Sequence, residues 1–250
     1  MPAPPPPPAE RPDSVRLESV SKTYGTGKEA LIDIDLVIRE GDFVFLVGPS
    51  GAGKSTLTKL LVRDEKATEG DVAVAGHDLG RMKNREVPLL RRKIGIVLQD
   101  FRLLPRKTVW ENVANALDVT GTPRRLMEPA VERALALGGR TERALALVGL
   151  TEQAKQRPDQ LSGGEQQRTA IARAMVHEPR LIIADEPTGN LDPLISWEII
   201  QLLLRINEMG TTVLMATHDA EVVTALRRRV VALEDGRVVR DEVGGYHREY

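Results

Sequence analysis

Gly48-Pro49-Ser50-Gly51-Ala52-Gly53-Lys54-Ser55-Thr56 is a glycine-rich turn set between two different apolar patterns. Before it, Phe43-Val44-Phe45-Leu46-Val47 is a continuous apolar run, which predicts a strand buried on both faces. After it, Leu57-Thr58-Lys59-Leu60-Leu61 reads as the start of a helix. Strand, glycine loop and helix in that order are the context a phosphate cradle needs, and they set the fold class as α/β with a P-loop core. Gly48, Gly51 and Gly53 let the backbone turn its N–H groups inward with no Cβ in the way. The helix N-terminus adds partial positive charge toward the phosphates. Lys54 would reach the β- and γ-phosphates of a nucleotide, and the Ser55 hydroxyl would ligate Mg²⁺.

Bulk properties narrow the setting. A chain of 250 residues suits one α/β domain, or one with a small subdomain. Lys+Arg 35 against Asp+Glu 36 leaves a net charge of -1, so nothing marks a general nucleic-acid binder. Cysteine is absent, which excludes disulfides and thiolate metal sites and fits a reducing cytosol. No apolar run approaches the ~20 residues needed to span a bilayer. The start, Met1-Pro2-Ala3 followed by Pro4 to Pro8, lacks a signal peptide's basic and apolar regions. It predicts an exposed, polyproline-like tail over 1–13. With aromatics at 3%, the core must be built from Leu, Val, Ile and Ala.

Partial alternation over Val15–Val20 and Ile32–Ile38 predicts half-exposed antiparallel strands ahead of the cradle, with another at Asp71–Ala75. Ile94–Leu98, Leu181–Ala184 and Thr212–Ala216 are apolar throughout, as strands of a helix-covered parallel sheet should be. Val230–Glu234 and Arg237–Arg240, joined at Asp235-Gly236, read as a closing hairpin. From about residue 100 to 160 the chain is charged, rich in Ala, Leu, Arg and Glu, and predicts an inserted helical subdomain. Within it, Glu132-Arg133-Ala134-Leu135-Ala136-Leu137 recurs ten residues later as Glu142-Arg143-Ala144-Leu145-Ala146-Leu147. Ten residues at about 100° each put the copies roughly 80° out of phase, so Gly138-Gly139 between them is expected to break the helix. The α/β domain, with its helical insertion, is thus expected over 14–242, with a short tail at 243–250.

Several residues away from the turn fit the same chemistry. Leu181-Ile182-Ile183-Ala184-Asp185-Glu186-Pro187 ends an apolar strand in two carboxylates, an arrangement that is costly unless a cation or a reaction uses it. Asp185 fits as a Mg²⁺ partner, direct or through water, and Glu186 as the group that orients attacking water. Leu161-Ser162-Gly163-Gly164-Glu165 opens another helix, with two readings. Ser162 and Glu165 form a capping box, or the helix start holds a second anion. Gln99 and His218 each follow a parallel strand, at the carboxyl edge where ligands bind. Tyr24, before the turn Gly25-Thr26-Gly27, could stack on a base. His77, His177 and His247 have no comparable context.

This ordered set resembles the ATP-binding cassette (ABC) ATPases from about Val15 to Arg240. The resemblance matches a Walker A loop at Gly48–Thr56, a Q-loop at Gln99, an LSGG signature at Leu161–Gly164 and a Walker B strand at Leu181–Glu186. A D-loop matches at Asn190-Leu191-Asp192, an H-loop at His218 and an adenine-stacking position at Tyr24. What it implies is ATP with Mg²⁺ as ligand and cofactor, and Glu186, His218, Lys54 and Gln99 as catalytic residues. Ser55, Gln99 and Asp185 are implied as metal ligands. It also implies that two cassettes meet head to tail, so Ser162, Gly163, Gly164 and Asp192 meet the nucleotide held by the partner's cradle. Glu165 stands where many members carry Gln. The stretch Met82–Leu104 resembles the cell-division branch of the family, which implies a homodimer at the cytoplasmic face of the plasma membrane. Its partners would be a polytopic membrane protein of the FtsX type and other divisome components, with no nucleic acid. Lipoprotein-release and macrolide-export ATPases share Ala184–Asp192, and a soluble ABC protein acting on nucleic acid or ribosomes is a third reading.

Overall fold

A computed structural model describes residues 11–119 and 149–244. The repeat at 132–147 lies outside the described residues. Two sheets carry the fold. β1 (Asp13–Thr23), β2 (Glu29–Arg39), β4 (Glu69–Val74) and β5 (His77–Asp78) form a four-stranded antiparallel sheet in the order β2-β1-β4-β5. Its β1 and β2 largely alternate buried and exposed residues, with several register irregularities, one of them spanning Ser19, whose φ of 48° is left-handed. The second sheet has six strands in the order β10-β9-β3-β8-β7-β6. β3 (Phe43–Val47), β6 (Ile94–Leu98), β7 (Leu181–Asp185) and β8 (Thr212–Ala216) run parallel within it.

β3 and β8 are buried at every position, as their unbroken apolar sequences predict. The hairpin over β9 (Arg229–Glu234) and β10 (Arg237–Val243) does more than close the chain. β9 pairs parallel with β3, Phe45 opposite Val230, so the hairpin extends the main sheet on the edge away from β7. Its turn, Asp235 (φ 46°) and Gly236 (φ 76°), has both central residues left-handed, as a two-residue hairpin requires.

Helices cover both faces of this sheet. α1 (Lys54–Leu61) lies with the antiparallel sheet on one face, where Leu57, Leu60 and Leu61 share a core with Val15, Ile34, Leu46 and Ile183. α4 (Gly163–Met175), α5 (Pro193–Glu208) and α6 (Ala220–Leu226) pack on the other, around Phe45, Ile182, Ile199, Leu203 and Met215. Between them in sequence come α2 (Val87–Arg91) and α3 (Val109–Val119). Val109, Val113 and Leu117 of α3 meet Ala172 and Val176 at the end of α4, so the segment after β6 docks through a small core of its own. Among the described residues no helix is long and apolar enough to cross a membrane.

Candidate active site

Strand register brings the site together. Leu46 lies opposite Ala216, Ala216 opposite Asp185 and Asp185 opposite Leu98, so four parallel strands end abreast. Each strand then delivers its next residues to one edge: Gly48 after β3, Gln99 after β6, Glu186 after β7, Thr217 and His218 after β8. The carboxyl edge of a parallel sheet is where such folds bind ligands. Here it opens into a cleft of about 900 Å³ lined by Tyr24, Gly48 to Thr56, Gln99, Asp185, Glu186 and His218. Lys28, Thr217 and Asp219 also line it, and nothing in their sequence context singles them out.

The glycines of the loop answer to what lies behind it as well as to the cleft. A Cβ on Gly48 would fall 2.2 Å from the carbonyl oxygen of Leu233, and one on Gly53 would fall 2.6 Å from that of Ala30. β9 and β2 therefore press against the back of the turn, leaving its open side to the cleft. Gly53, with φ 109°, is the N-cap of α1, so the helix begins at the loop with amides facing out of its end. Lys54 folds over the turn, its Nζ donating to the carbonyls of Gly48 at 2.5 Å and Pro49 at 3.1 Å. Tyr24 stands at the mouth, its hydroxyl 3.3 Å from Thr56 Oγ1 and the Lys22 ammonium 5.0 Å from its ring centre.

Across the cleft, burial raises the pKa of Asp185 and the neighbouring Glu186 raises it further, with Lys54 and Lys59 opposing. The charged form of Asp185 is thus disfavoured by burial and by a second carboxylate, a cost that a divalent cation would relieve. Among the described residues no three His, Cys, Asp or Glu side chains converge as a metal cage. That donor set suits Mg²⁺, which keeps several waters and takes oxygens from phosphates and one or two carboxylates. Glu186 has φ 48°, a left-handed conformation disfavoured for a residue with a Cβ, and its N–H donates to Ala216 at 2.9 Å. The turn aims its Oε2 at His218 Nδ1, 2.9 Å away. A neutral imidazole in that contact carries its proton on Nδ1 and leaves Nε2 to accept.

Gln99 is tied sideways. Its Nε2 donates to Asn190 Oδ1 at 3.2 Å, and Asn190 Nδ2 returns a bond to the Gln99 carbonyl at 3.1 Å. Asn190 stands in the run quoted above, yet its pairing with a residue so far off in sequence has no local signal. Ser162, Gly163, Gly164 and Asp192 do not line this cleft. Ser162 caps α4 in a full box, its Oγ accepting from the Glu165 N–H at 3.3 Å and its N–H donating to Glu165 at 2.8 Å. Packing explains the two glycines that the cap alone does not. A Cβ on Gly164 would meet Ile195 at 2.6 Å, and one on Gly163 would meet Leu191 at 3.2 Å. Asp192 caps α5, accepting from the N–H groups of Leu194 and Ile195.

Comparison with known proteins gives the same picture. A family described as "ABC transporter" matches residues 31–189. The cell division ATP-binding protein FtsE of Bacillus subtilis is 50% identical over 94% of this chain and 99% of its own. FtsE of Escherichia coli is 46% identical over 90% and 96%. A solved dimer of an ATP-binding cassette in a post-hydrolysis state, bound to ADP and Pi, superposes with a TM-score of 0.77 at 37% identity, covering 93% of this chain and all of that one. A Clostridium perfringens protein that is part of an ABC transporter complex gives 0.81 at 29% identity, over 92% and 88%. With Lys54, Asp185, Glu186, Gln99 and His218 gathered at one sheet edge, the chain belongs to the ABC transporter family of ATP-binding cassette ATPases, alongside the cell-division ATP-binding proteins FtsE.

Proposed function

We propose that this chain is the ATP-hydrolysing subunit of a cell-division complex of the FtsE–FtsX kind. Two copies would close head to tail on ATP and drive a polytopic membrane partner from the cytoplasmic face of the plasma membrane. The likeness to FtsE over nearly the whole chain supports the cell-division assignment. The output would be control of peptidoglycan hydrolases across the membrane, with no solute moved. The observation that carries the two-subunit reading is the split of the motif residues. The loop Gly48–Thr56, Asp185, Glu186, Gln99 and His218 share one cleft, and Ser162–Gly164 and Asp192 stand outside it. A second copy is the natural source of the missing half. The similar cassette caught after hydrolysis is itself dimeric.

In this reading the amides of Gly48–Thr56 and the start of α1 hold the phosphates, and Lys54 leaves the carbonyls of Gly48 and Pro49 for phosphate oxygens. Tyr24 stacks on the adenine. Ser55, Gln99 and Asp185 would hold Mg²⁺, which would supply charge neutralisation at the phosphates. Glu186 takes the proton of the attacking water, and the strained turn that carries it keeps Oε2 in place. His218 orients Glu186 through the Nδ1 contact and stabilises transferring charge. Gln99 passes the state of the site to the membrane partner.

Glu186→Gln removes the base and keeps the shape. It should bind ATP as the parent does, lose hydrolysis by about a hundredfold or more, and elute as an ATP-dependent dimer. Full turnover in that variant would remove Glu186 from its role. Affinity capture from membranes should return a protein with a large extracytoplasmic loop between its first two spans. Recovery of a lipoprotein-release permease in its place would overturn the cell-division reading.

A further inference from the structure

The turn after Gln99 is held in a conformation that its residues disfavour. Phe101 and Arg102 are consecutive left-handed residues, φ 53° and 45°, and neither is glycine. In that conformation Cβ crowds the following carbonyl, so two in succession persist only where the surroundings impose them. The turn's own bonds are few: the Phe101 N–H donates to Leu98 at 3.3 Å, the Arg102 N–H to Asp100 at 2.5 Å, and Arg102 Nε to the exposed Asp100 carboxylate at 3.1 Å. Among the described residues, one side chain from outside bonds to the carbonyls of Phe101 and Arg102. Arg173 Nη2 donates to the Phe101 carbonyl at 2.8 Å and Nη1 to the Arg102 carbonyl at 2.6 Å.

Arg173 lies on α4, the helix that starts at Ser162. Burial lowers its pKa, and among the described residues no carboxylate opposes that shift. Its planar fork is thus given over to the two carbonyls of one turn, a bridge that a lysine's point charge could not reproduce. On its other side Gln99 is gripped by Asn190, and its amide lies against Gly189, where a Cβ would fall 2.7 Å from Gln99 Nε2 and push that side chain aside. Gln99 therefore stands between two straps.

We propose that Arg173 is a positioning residue: by clamping the carbonyls of Phe101 and Arg102 it keeps their turn left-handed, fixes Gln99 in the cleft, and makes Gln99 and the Ser162 helix move as one body. This rests on the ATPase reading above. It means that a partner subunit engaging Ser162 is felt at Gln99 in the opposite cleft, through ten residues of rigid helix and one guanidinium.

Glycine adopts the left-handed region without a Cβ penalty, so it can replace what the clamp supplies. Arg102 is exposed and Arg102→Gly is the suppressor to use. In the full chain, Arg173→Ala should lower kcat for ATP about tenfold with KM and Tm little changed. Arg173→Lys should fall between. Arg102→Gly alone should keep kcat within about twofold, and the double variant Arg173→Ala/Arg102→Gly should recover most of the loss. Should Arg173→Ala not fold, Arg173→Lys with and without Arg102→Gly makes the same comparison. A double variant no faster than its single parent overturns the clamp, as does an Arg173→Ala enzyme with parental kcat. Failure of the ATPase reading would look different: Glu186→Gln would then turn over ATP like the parent whatever residue stands at 173.

Discussion

At the level of single residues, Asp185 shows how the site trades stability for chemistry. Its position at the end of an apolar strand is legible in the sequence, and so is the cost of burying it. What the sequence hides is the balance of forces: burial and the adjacent Glu186 raise the pKa, while Lys54 and Lys59, which oppose them, come near only in the fold. A carboxyl whose folded pKa lies above its unfolded value binds more protons in the native state. Stability therefore falls as pH rises from the unfolded value, about 3.9, through the raised one, and the deficit is complete above it. Asp185→Asn removes the charge and keeps the shape. It should melt higher than the parent at pH 7.5 without nucleotide, with the margin closing as pH falls through the raised pKa, and should lose ATPase activity. A variant that melts lower at pH 7.5 would mean that Asp185 is stabilised by its surroundings. Glu186 makes a related point: its left-handed backbone is set by the turn between β7 and α5 and has no signature in residue type.

At the level of elements, strands and helix starts could be read because their determinants are local. The apolar runs Phe43–Val47, Ile94–Leu98 and Thr212–Ala216 coincide with β3, β6 and β8. The capping box at Ser162 is equally local, and the structure forms it in full. The glycines after it were not legible, since their reason is Leu191 and Ile195 of the neighbouring segment. Ser162→Ala should cost about 1 kcal/mol in denaturant unfolding, the loss of one N-cap. Glu165 supports the same box, its pKa lowered first by the Ser162 N–H. A depressed carboxylate contributes stability above its unfolded pKa, and that contribution is lost as pH falls through the folded value. The deficit of Glu165→Gln against the parent should therefore be present at pH 7 and fade in strong acid, and a deficit constant with pH would assign it to packing. The strap at Arg173 belongs here too: an arginine in the last turn of a helix reads as an ordinary helix-end cation, and only the fold shows what it reaches.

At the level of the whole molecule, pairing between distant segments is what sequence patterns leave open. The run Val230–Leu233 looks like any buried strand, and its hairpin could stand alone; only the structure shows it beside β3. The consequence reaches the active site. Gly236 at the hairpin tip accepts from the Ile32 N–H at 2.8 Å and donates to the Ala52 carbonyl at 3.2 Å. One residue thereby joins the antiparallel sheet, the main sheet and the phosphate loop. It does not line the cleft. Its φ is +76°, and a Cβ there would meet the Ala30 carbonyl oxygen at 3.0 Å. Gly236→Ala should lose about 1–2 kcal/mol from the left-handed backbone alone, and it should also displace the hairpin from the loop. Gly76 supplies the control, with φ +79° and nothing within 4 Å of a Cβ. Gly76→Ala should lose similar stability and keep the parental affinity for ATP, while Gly236→Ala should bind ATP several-fold more weakly, about 1 kcal/mol. Titration of both variants with a fluorescent ATP analogue separates the effects. Equal affinity in the two would mean that the hairpin braces the sheets without holding the phosphate loop.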